Sequence, residues 1–176
     1  MLFNSLSFAL FLIIVIALYY SKILNWTNKK RMLLFASYIF YGLWNPPLVI
    51  LLWISTVVDW VTGKKLATEE NKHKRKLWLL LSMVVNLGFL TFFKYRNFLL
   101  ENFNIVVSSY GYGFHSQPMD IILPMGISFY TFQTMSYTID MYLKRSERAK
   151  TFLDFALYVT FFPQLVAGPI VRAQDL

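Results

Sequence analysis

Long apolar runs separated by short basic clusters are the feature that most constrains how this chain folds. The runs cover residues 3–24, 32–44, 47–63, 77–93, 121–143 and 152–166. A soluble domain of 176 residues, of which 57% are apolar, would leave too much apolar surface in water. About 20 apolar residues are enough to cross a bilayer as a helix. We therefore predict an all-α integral membrane protein, in which residues 1–176 form a single multi-spanning membrane domain.

The positive charge is concentrated between these runs. Of the 17 Lys and Arg residues, 14 lie in three clusters, at 22–31, 64–76 and 144–150. Basic clusters beside membrane spans usually face the cytoplasm. The sequence therefore predicts that all three clusters are cytoplasmic and that the N-terminus is outside. Despite the net charge of +8, this distribution favours contact with the lipid bilayer over binding to nucleic acid.

The Asn45-Pro46-Pro47 sequence predicts a helical hairpin with its turn outside, because proline cannot continue a helix interior. The first arm, 32–44, provides only about 20 Å of helix, which is short for a hydrocarbon core of about 30 Å. It is therefore a partial span, a site of bilayer thinning, or a span continued by its flanks. The basic segment 64–76 is predicted to be a solvated loop.

Three later segments are not predicted to be clean spans. Residues 96–107 have an amphipathic pattern that is typical of a helix lying in the membrane interface. Residues 110–118 contain Tyr110-Gly111-Tyr112-Gly113 and Gln117-Pro118, which mark a loop. Residues 152–166 predict a helix that is broken at Pro163.

A stripe of polar residues follows the helix predicted after residue 127. Tyr130, Gln133, Tyr137 and Asp140 share an arc of about 80° on that helix. Such a stripe indicates either a face that lines a hydrated cavity or a face that packs on another helix. In the packing alternative, Asp140 would pair with Lys144.

Two further polar residues interrupt apolar runs. Asp59 is a candidate functional carboxylate, but an ion pair with Lys64 or Lys65 is the favoured interpretation. Asn86 is interpreted as an interhelical hydrogen-bonding residue rather than a ligand. With no cysteine, and with His73 and His115 in different predicted loops, the sequence predicts no metal site.

Two long motifs carry a resemblance to a known family. They are LPMGISFYTFQTMSYTIDMYL, at 123–143, and DFALYVTFFPQLVAGPIVRAQDL, at 154–176. Together with MLFNSLSFALFL and YIFYGLWNPP near the start, they resemble the membrane-bound O-acyltransferase family. The branch that the chain resembles most is that of the bacterial polysaccharide and alginate O-acetyltransferases. The branch that transfers D-alanine in the cell envelope is the neighbouring alternative.

The resemblance implies a ring-like multi-helix fold in the bacterial inner membrane, with funnels from both sides. It implies an acyl thioester as donor substrate, acetyl-CoA or an acyl carrier, with no bound cofactor. It further implies a hydroxyl acceptor outside the cell, on an exopolysaccharide such as alginate, and partner proteins of an acetylation complex. A small transporter or membrane scaffold without enzymatic activity is the alternative class.

The resemblance also implies a catalytic histidine, which would act as a base on the acceptor hydroxyl. In the family this histidine lies beyond the FFPQLVAGPI motif, so we expect it beyond residue 176. The sequence then corresponds to the N-terminal part of a longer protein and would be inactive alone. The candidate residues for the substrate path within it are Tyr130, Gln133, Tyr137, Asp140 and Gln164.

The predicted topology can be tested by cysteine labelling, because the chain has no cysteine of its own. Cysteines introduced by Asn28→Cys and Asn71→Cys should react with a membrane-impermeant maleimide only from the cytoplasmic side. A cysteine introduced by Ser116→Cys should react from the outside. Reversed labelling of Asn71→Cys and Ser116→Cys would contradict the topology.

Overall fold

The computed structural model describes residues 5–111, 118–124 and 126–168, and all regular elements in these ranges are helical. The predicted all-α class is therefore confirmed for this part of the chain. The helices are α1 (Leu6–Tyr20), α2 (Trp26–Gly42), α3 (Pro46–Thr68), α4 (Lys72–Leu90), a π-helix (Thr91–Tyr95), α5 (Arg96–Ser109), α6 (Ile127–Tyr142), α7 (Phe152–Thr160) and α8 (Phe162–Ala167).

Two helices in the described ranges are long and apolar enough to cross a membrane. One is α3, with 23 residues, and the other is the continuous helix from Lys72 to Ser109, with 38 residues. Helix α1 and the segment from Phe152 to Leu165 are shorter apolar helices. By length and composition, the chain thus has the character of a membrane protein.

The basic segment 64–76 is more helical than the sequence pattern predicted. Helix α3 continues through Lys65 and ends at Thr68, and α4 begins at Lys72, so the predicted loop at 64–76 is reduced to a turn of three residues. The Asn71 side chain accepts hydrogen bonds from the backbone N–H groups of the first turn of α4, at 2.9 and 3.4 Å. This cap allows α4 to start within the basic cluster.

Helix α2 begins at Trp26 rather than at residue 32, so its 17 residues give about 26 Å of helix. The short arm is therefore continued by its N-terminal flank. Pro46 and Pro47 occupy the first turn of α3, where proline is well tolerated, and α2 packs on α3, so the chain forms a helical hairpin here.

Two later segments differ from the predicted runs. Helix α6 starts at Ile127, as the position of the polar stripe predicted, and not at the start of the apolar run at 121, because Gly126 has a left-handed backbone, with φ of 70°. A Cβ atom at Gly126 would lie 2.6 Å from the carbonyl oxygen of Leu165, so this turn requires glycine. Helix α5 includes the predicted residues 96–107, but the π-helix joins it to α4 without a break.

The predicted break near Pro163 is confirmed. Helix α7 ends at Thr160, and Phe161 leaves the helical conformation with ψ of 111°. Helix α8 then begins at Phe162, with Pro163 in its first turn. Proline fits this position because the first N–H groups of a helix have no intrahelical partner.

The core forms where α3, α4 and α6 pack on one another, with α7 closing the side next to α3. Its largest buried residues include Tyr41, Leu52, Tyr137 and Phe155. A smaller cluster joins α1, α2 and α8, with Phe40 and Phe162 in ring contact at 5.4 Å.

A buried arginine gathers several helix ends at one end of the bundle. Arg75, at the start of α4, donates to the carbonyl of Leu66 near the end of α3 and to the carbonyls of Met141 and Tyr142 at the end of α6, at 3.2 and 2.7 Å. Lys30 of α2 forms an ion pair with Asp154, near the start of α7. Because these contacts join the flanks of the three basic clusters, all three clusters lie at the same end.

Replacing Arg75 tests how much this contact contributes to stability. Arg75→Met should lower the free energy of unfolding by at least about 2 kcal/mol, because carbonyls at the ends of two helices lose a charged donor. The measurement is denaturation of the detergent-solubilised protein. The matched control is Lys76→Met, at an exposed neighbour, which should change stability by less than about 0.5 kcal/mol. Equal effects of the two substitutions would contradict this role.

Candidate functional site

A buried carboxylate lies at the centre of the three-helix core. Asp59 of α3 is fully buried and accepts two sets of hydrogen bonds from α4. The Ser82 hydroxyl donates to Oδ1 at 2.5 Å, and the Asn86 amide donates to Oδ1 and Oδ2 at 3.0 and 2.8 Å. Both carboxylate oxygens are therefore satisfied by neutral donors.

A second layer of hydroxyls extends this cluster to α6. The Asn86 carbonyl accepts from the hydroxyl of Ser55 at 2.6 Å and from that of Thr134 at 3.3 Å. The Ser82 hydroxyl also lies 3.2 Å from the hydroxyl oxygen of Thr138. Each of these side chains is fully buried. We call the six residues Ser55, Asp59, Ser82, Asn86, Thr134 and Thr138 the polar cluster.

The ion pair predicted for Asp59 is wrong, whereas the interhelical hydrogen bond predicted for Asn86 is confirmed. Lys64 and Lys65 are exposed, and Asp59 faces the interior. At about 100° per residue, a side chain five residues later points roughly 140° away around the helix, and one six residues later points roughly 120° away in the opposite sense. Proximity in the sequence therefore does not bring these charges together.

The predicted polar stripe on α6 divides between interior and surface. Tyr130, Gln133 and Tyr137 are buried, while Asp140 is half-exposed. The Gln133 amide donates to the carbonyl of Tyr158 in α7 at 2.8 Å. No ion pair between Asp140 and Lys144 occurs in the described part of the chain.

Close packing fixes the position of Tyr137 in this stripe. The ring of Tyr137 lies 4.7 Å from the ring of Phe155 in α7. A Cβ atom at Gly63 of α3 would approach two atoms of the Tyr137 side chain, Cε1 and Oη, to 2.7 Å. Glycine at this position therefore lets α3 and α6 approach closely. Gln164, the remaining predicted path residue, is half-buried in α8.

Some polar atoms near the stripe are buried without a partner. The hydroxyls of Tyr38, Tyr130 and Thr131 have no hydrogen-bond partner among the described residues. A buried hydroxyl without a partner is costly, and water or a polar ligand commonly satisfies such groups. These hydroxyls are therefore candidate contacts for water or for a polar ligand.

Sequence reasoning missed the three threonines that complete the interior of α6. Thr131, Thr134 and Thr138 have the spacing i, i+3, i+7 and are all fully buried. The signal available in the sequence was a spacing of four residues between polar side chains, which places them on the same face of a helix. Ser55 and Asp59 have this spacing, and so do Ser82 and Asn86.

No histidine among the described residues contributes to this site. His73 is exposed in the first turn of α4, and His115 lies outside the described residues. Within the described ranges, no three His, Asp or Glu side chains are grouped so as to hold a metal ion. What the described site offers chemically is hydrogen bonding, through hydroxyls, amides and the Asp59 carboxylate.

The polar cluster predicts an unusual order of stabilities. Asn86→Leu should lower the free energy of unfolding by about 3 kcal/mol, because it leaves a buried carboxylate without its amide donor. The double variant Asp59→Leu/Asn86→Leu should be more stable than Asn86→Leu alone, because leucine has a similar size and no charge remains buried. Denaturation of the solubilised protein gives both values.

Asn102→Leu serves as the control, because Asn102 is exposed and, among the described residues, bonds only to the carbonyl of Phe98 within α5. It should change stability by less than about 0.5 kcal/mol. A double variant less stable than Asn86→Leu would show that the carboxylate does not depend on the amide.

Comparison with known proteins gives a consistent set of relatives. The chain is 38% identical over 181 aligned positions to the "Probable alginate O-acetylase AlgI" of Pseudomonas aeruginosa, and 37% identical to that of Azotobacter vinelandii. These matches cover the whole chain but only 34% and 35% of the relatives. It is also 37% identical to the "Peptidoglycan O-acetyltransferase" of Helicobacter pylori, over 84% of this chain and 32% of that protein.

No family model matches the chain, and no solved structure matches it. The chain spans about a third of the length of the curated relatives it matches. Over its full length it is therefore a homologue of bacterial O-acetylases, and it corresponds to about one third of each.

Proposed function

We propose that this chain forms part of a membrane-bound O-acyltransferase that acetylates a hydroxyl group of an exopolysaccharide outside the cell. The observation that carries the proposal is the 38% identity, over the whole chain, to a protein named as an alginate O-acetylase. In the proposed reaction, the acceptor hydroxyl attacks the carbonyl of an acetyl thioester. The new ester bond forms as the thiolate leaves, and a base takes the hydroxyl proton.

The proposed setting is the bacterial inner membrane, with the N-terminus outside and the ring-like fold of the membrane-bound O-acyltransferases. The position of the three basic clusters at one end of the bundle supports this topology, because the positive-inside rule would place that end in the cytoplasm. A thioester donor, acetyl-CoA or an acyl carrier, would then approach from the basic end. Partner proteins of an acetylation complex would receive or present the polysaccharide on the other side.

Within this proposal, the α6 stripe lines part of the substrate path. The unpartnered hydroxyl of Tyr130 supports this, because a sugar hydroxyl or an ordered water would satisfy it. Gln133 is held against α7 and orients this wall of the path. The histidine base is proposed to belong to the longer protein, outside these 176 residues.

Peptidoglycan is the second candidate acceptor, and a specific observation favours it. The Helicobacter pylori relative is named as a peptidoglycan O-acetyltransferase and is nearly as similar, at 37% identity. Both acceptors are sugar polymers outside the inner membrane. The same hydroxyl-lined path would therefore suit either, and the acceptor has to be identified by assay.

The proposed path can be tested in the full-length protein that contains this chain. Tyr130→Phe and Gln133→Leu should each lower acetyl transfer by about tenfold, the equivalent of one lost hydrogen bond. Transfer would be measured from labelled acetyl thioester to deacetylated alginate and to peptidoglycan, relative to the amount of folded protein. Tyr20→Phe is the matched control, because Tyr20 is 76% exposed, and this variant should keep wild-type transfer.

Loss of folded protein in proportion to activity would instead favour a packing role for the stripe. Solute flux without transfer to either acceptor would favour the transporter alternative and would contradict the proposed function.

A further inference from the structure

A wide apolar groove follows one face of the long helix formed by α4, the π-helix and α5. Its volume is about 920 Å³, which lies within the range of small-molecule sites, roughly 300–1,000 Å³. The α4 side is lined by residues such as Leu80, Val84 and Leu87, and the α5 side by Leu99 and Phe103. The groove is therefore suited to hydrocarbon chains.

One charged side chain lines this groove. Arg96 lies at the junction of the π-helix and α5, and its guanidinium stands 5.7 Å from the ring centre of Phe92. Its Nη1 is buried and has no hydrogen-bond partner among the described residues, and no carboxylate there forms an ion pair with it. A buried guanidinium donor without an acceptor is costly. The groove thus lacks an anionic acceptor at this point.

The position of Arg96 along the helix indicates where that acceptor would lie. Leu77 is the first apolar residue after the basic start of α4. From Leu77 to Arg96 the helix rises about 28 Å, close to the hydrocarbon thickness of about 30 Å. With the basic end at one membrane surface, Arg96 then lies at the headgroup level of the opposite leaflet. Leu87 and Val84, about 14 and 18 Å from Arg96 along the helix, lie within reach of acyl chains that start at that level.

We propose that this groove binds an anionic glycerophospholipid, with its phosphate on Arg96 and its acyl chains along α4. A phosphate matches a guanidinium in charge and accepts two parallel N–H bonds from it. Gly88 leaves room for an acyl chain, because a Cβ atom built there meets no atom within 4 Å. The proposal requires a membrane setting but does not depend on acetyl transfer.

The test is native mass spectrometry of the full-length protein titrated with phosphatidylglycerol, and with diacylglycerol of the same acyl chains. Phosphatidylglycerol should be retained at least about tenfold better than diacylglycerol, as expected for a charge-assisted hydrogen bond. Arg96→Gln should remove this preference. Gly88→Leu should reduce the retention of both lipids, because it fills open space without disturbing the helix.

Lys94→Gln is the matched control, since Lys94 is exposed, lies two residues from Arg96 and bonds to Ser128 instead of lining the groove. It should retain the wild-type preference. Equal loss of preference in Lys94→Gln and Arg96→Gln would overturn the proposal in favour of general charge attraction. No phosphatidylglycerol retention by the wild type would also overturn it, and would indicate that another protein segment fills the groove.

Discussion

The buried carboxylate of Asp59 needs hydrogen-bond donors, and supplying them holds three helices in one arrangement. Apolar side chains and lipid tails cannot donate hydrogen bonds to this carboxylate, so the hydroxyls and the amide of the polar cluster have to supply them. Ser82 and Asn86 fix the rotation of α4 against α3, and Thr134 and Thr138 fix that of α6. A rotation of any of these helices would leave a charge or an amide without its partner.

This constraint also determines which way the rest of α6 faces. With Thr134 and Thr138 directed toward Asn86 and Ser82, Gln133 is turned by about 100° and reaches α7. Tyr137 is turned similarly and packs between Gly63 and Phe155. One helix thus has a face that builds the scaffold and a neighbouring face that carries the candidate path. Changes to the scaffold would therefore alter the path without touching it.

Local signals in the sequence were sufficient for much of the fold. Prolines mark the hairpin at Pro46 and the break before Pro163, because their effect on the backbone acts over one helical turn. The polar character of Asn86 was sufficient to predict an interhelical bond. The partners of Asp59 could not be predicted in this way, since they lie 23 and 27 residues away and depend on how the helices rotate. The basic residues at 64–76 predicted a solvated loop, whereas α3 and α4 both continue into this segment. The cap that lets α4 begin there is the side chain of Asn71, and the charge pattern did not indicate it.

The location of the donors to Asp59 has a consequence for how the chain enters the bilayer during synthesis. Ser82 and Asn86, which donate to the carboxylate, and Ser55, which donates to Asn86, all belong to the single hairpin of α3 and α4. A lone aspartate at the centre of a helix raises the free energy of insertion by about 2.5–3.5 kcal/mol. In a membrane, a hairpin that paired before α6 was synthesised would offset that cost. We therefore expect the two helices to insert as a pair and α6 to dock later, on a surface whose charge is already satisfied.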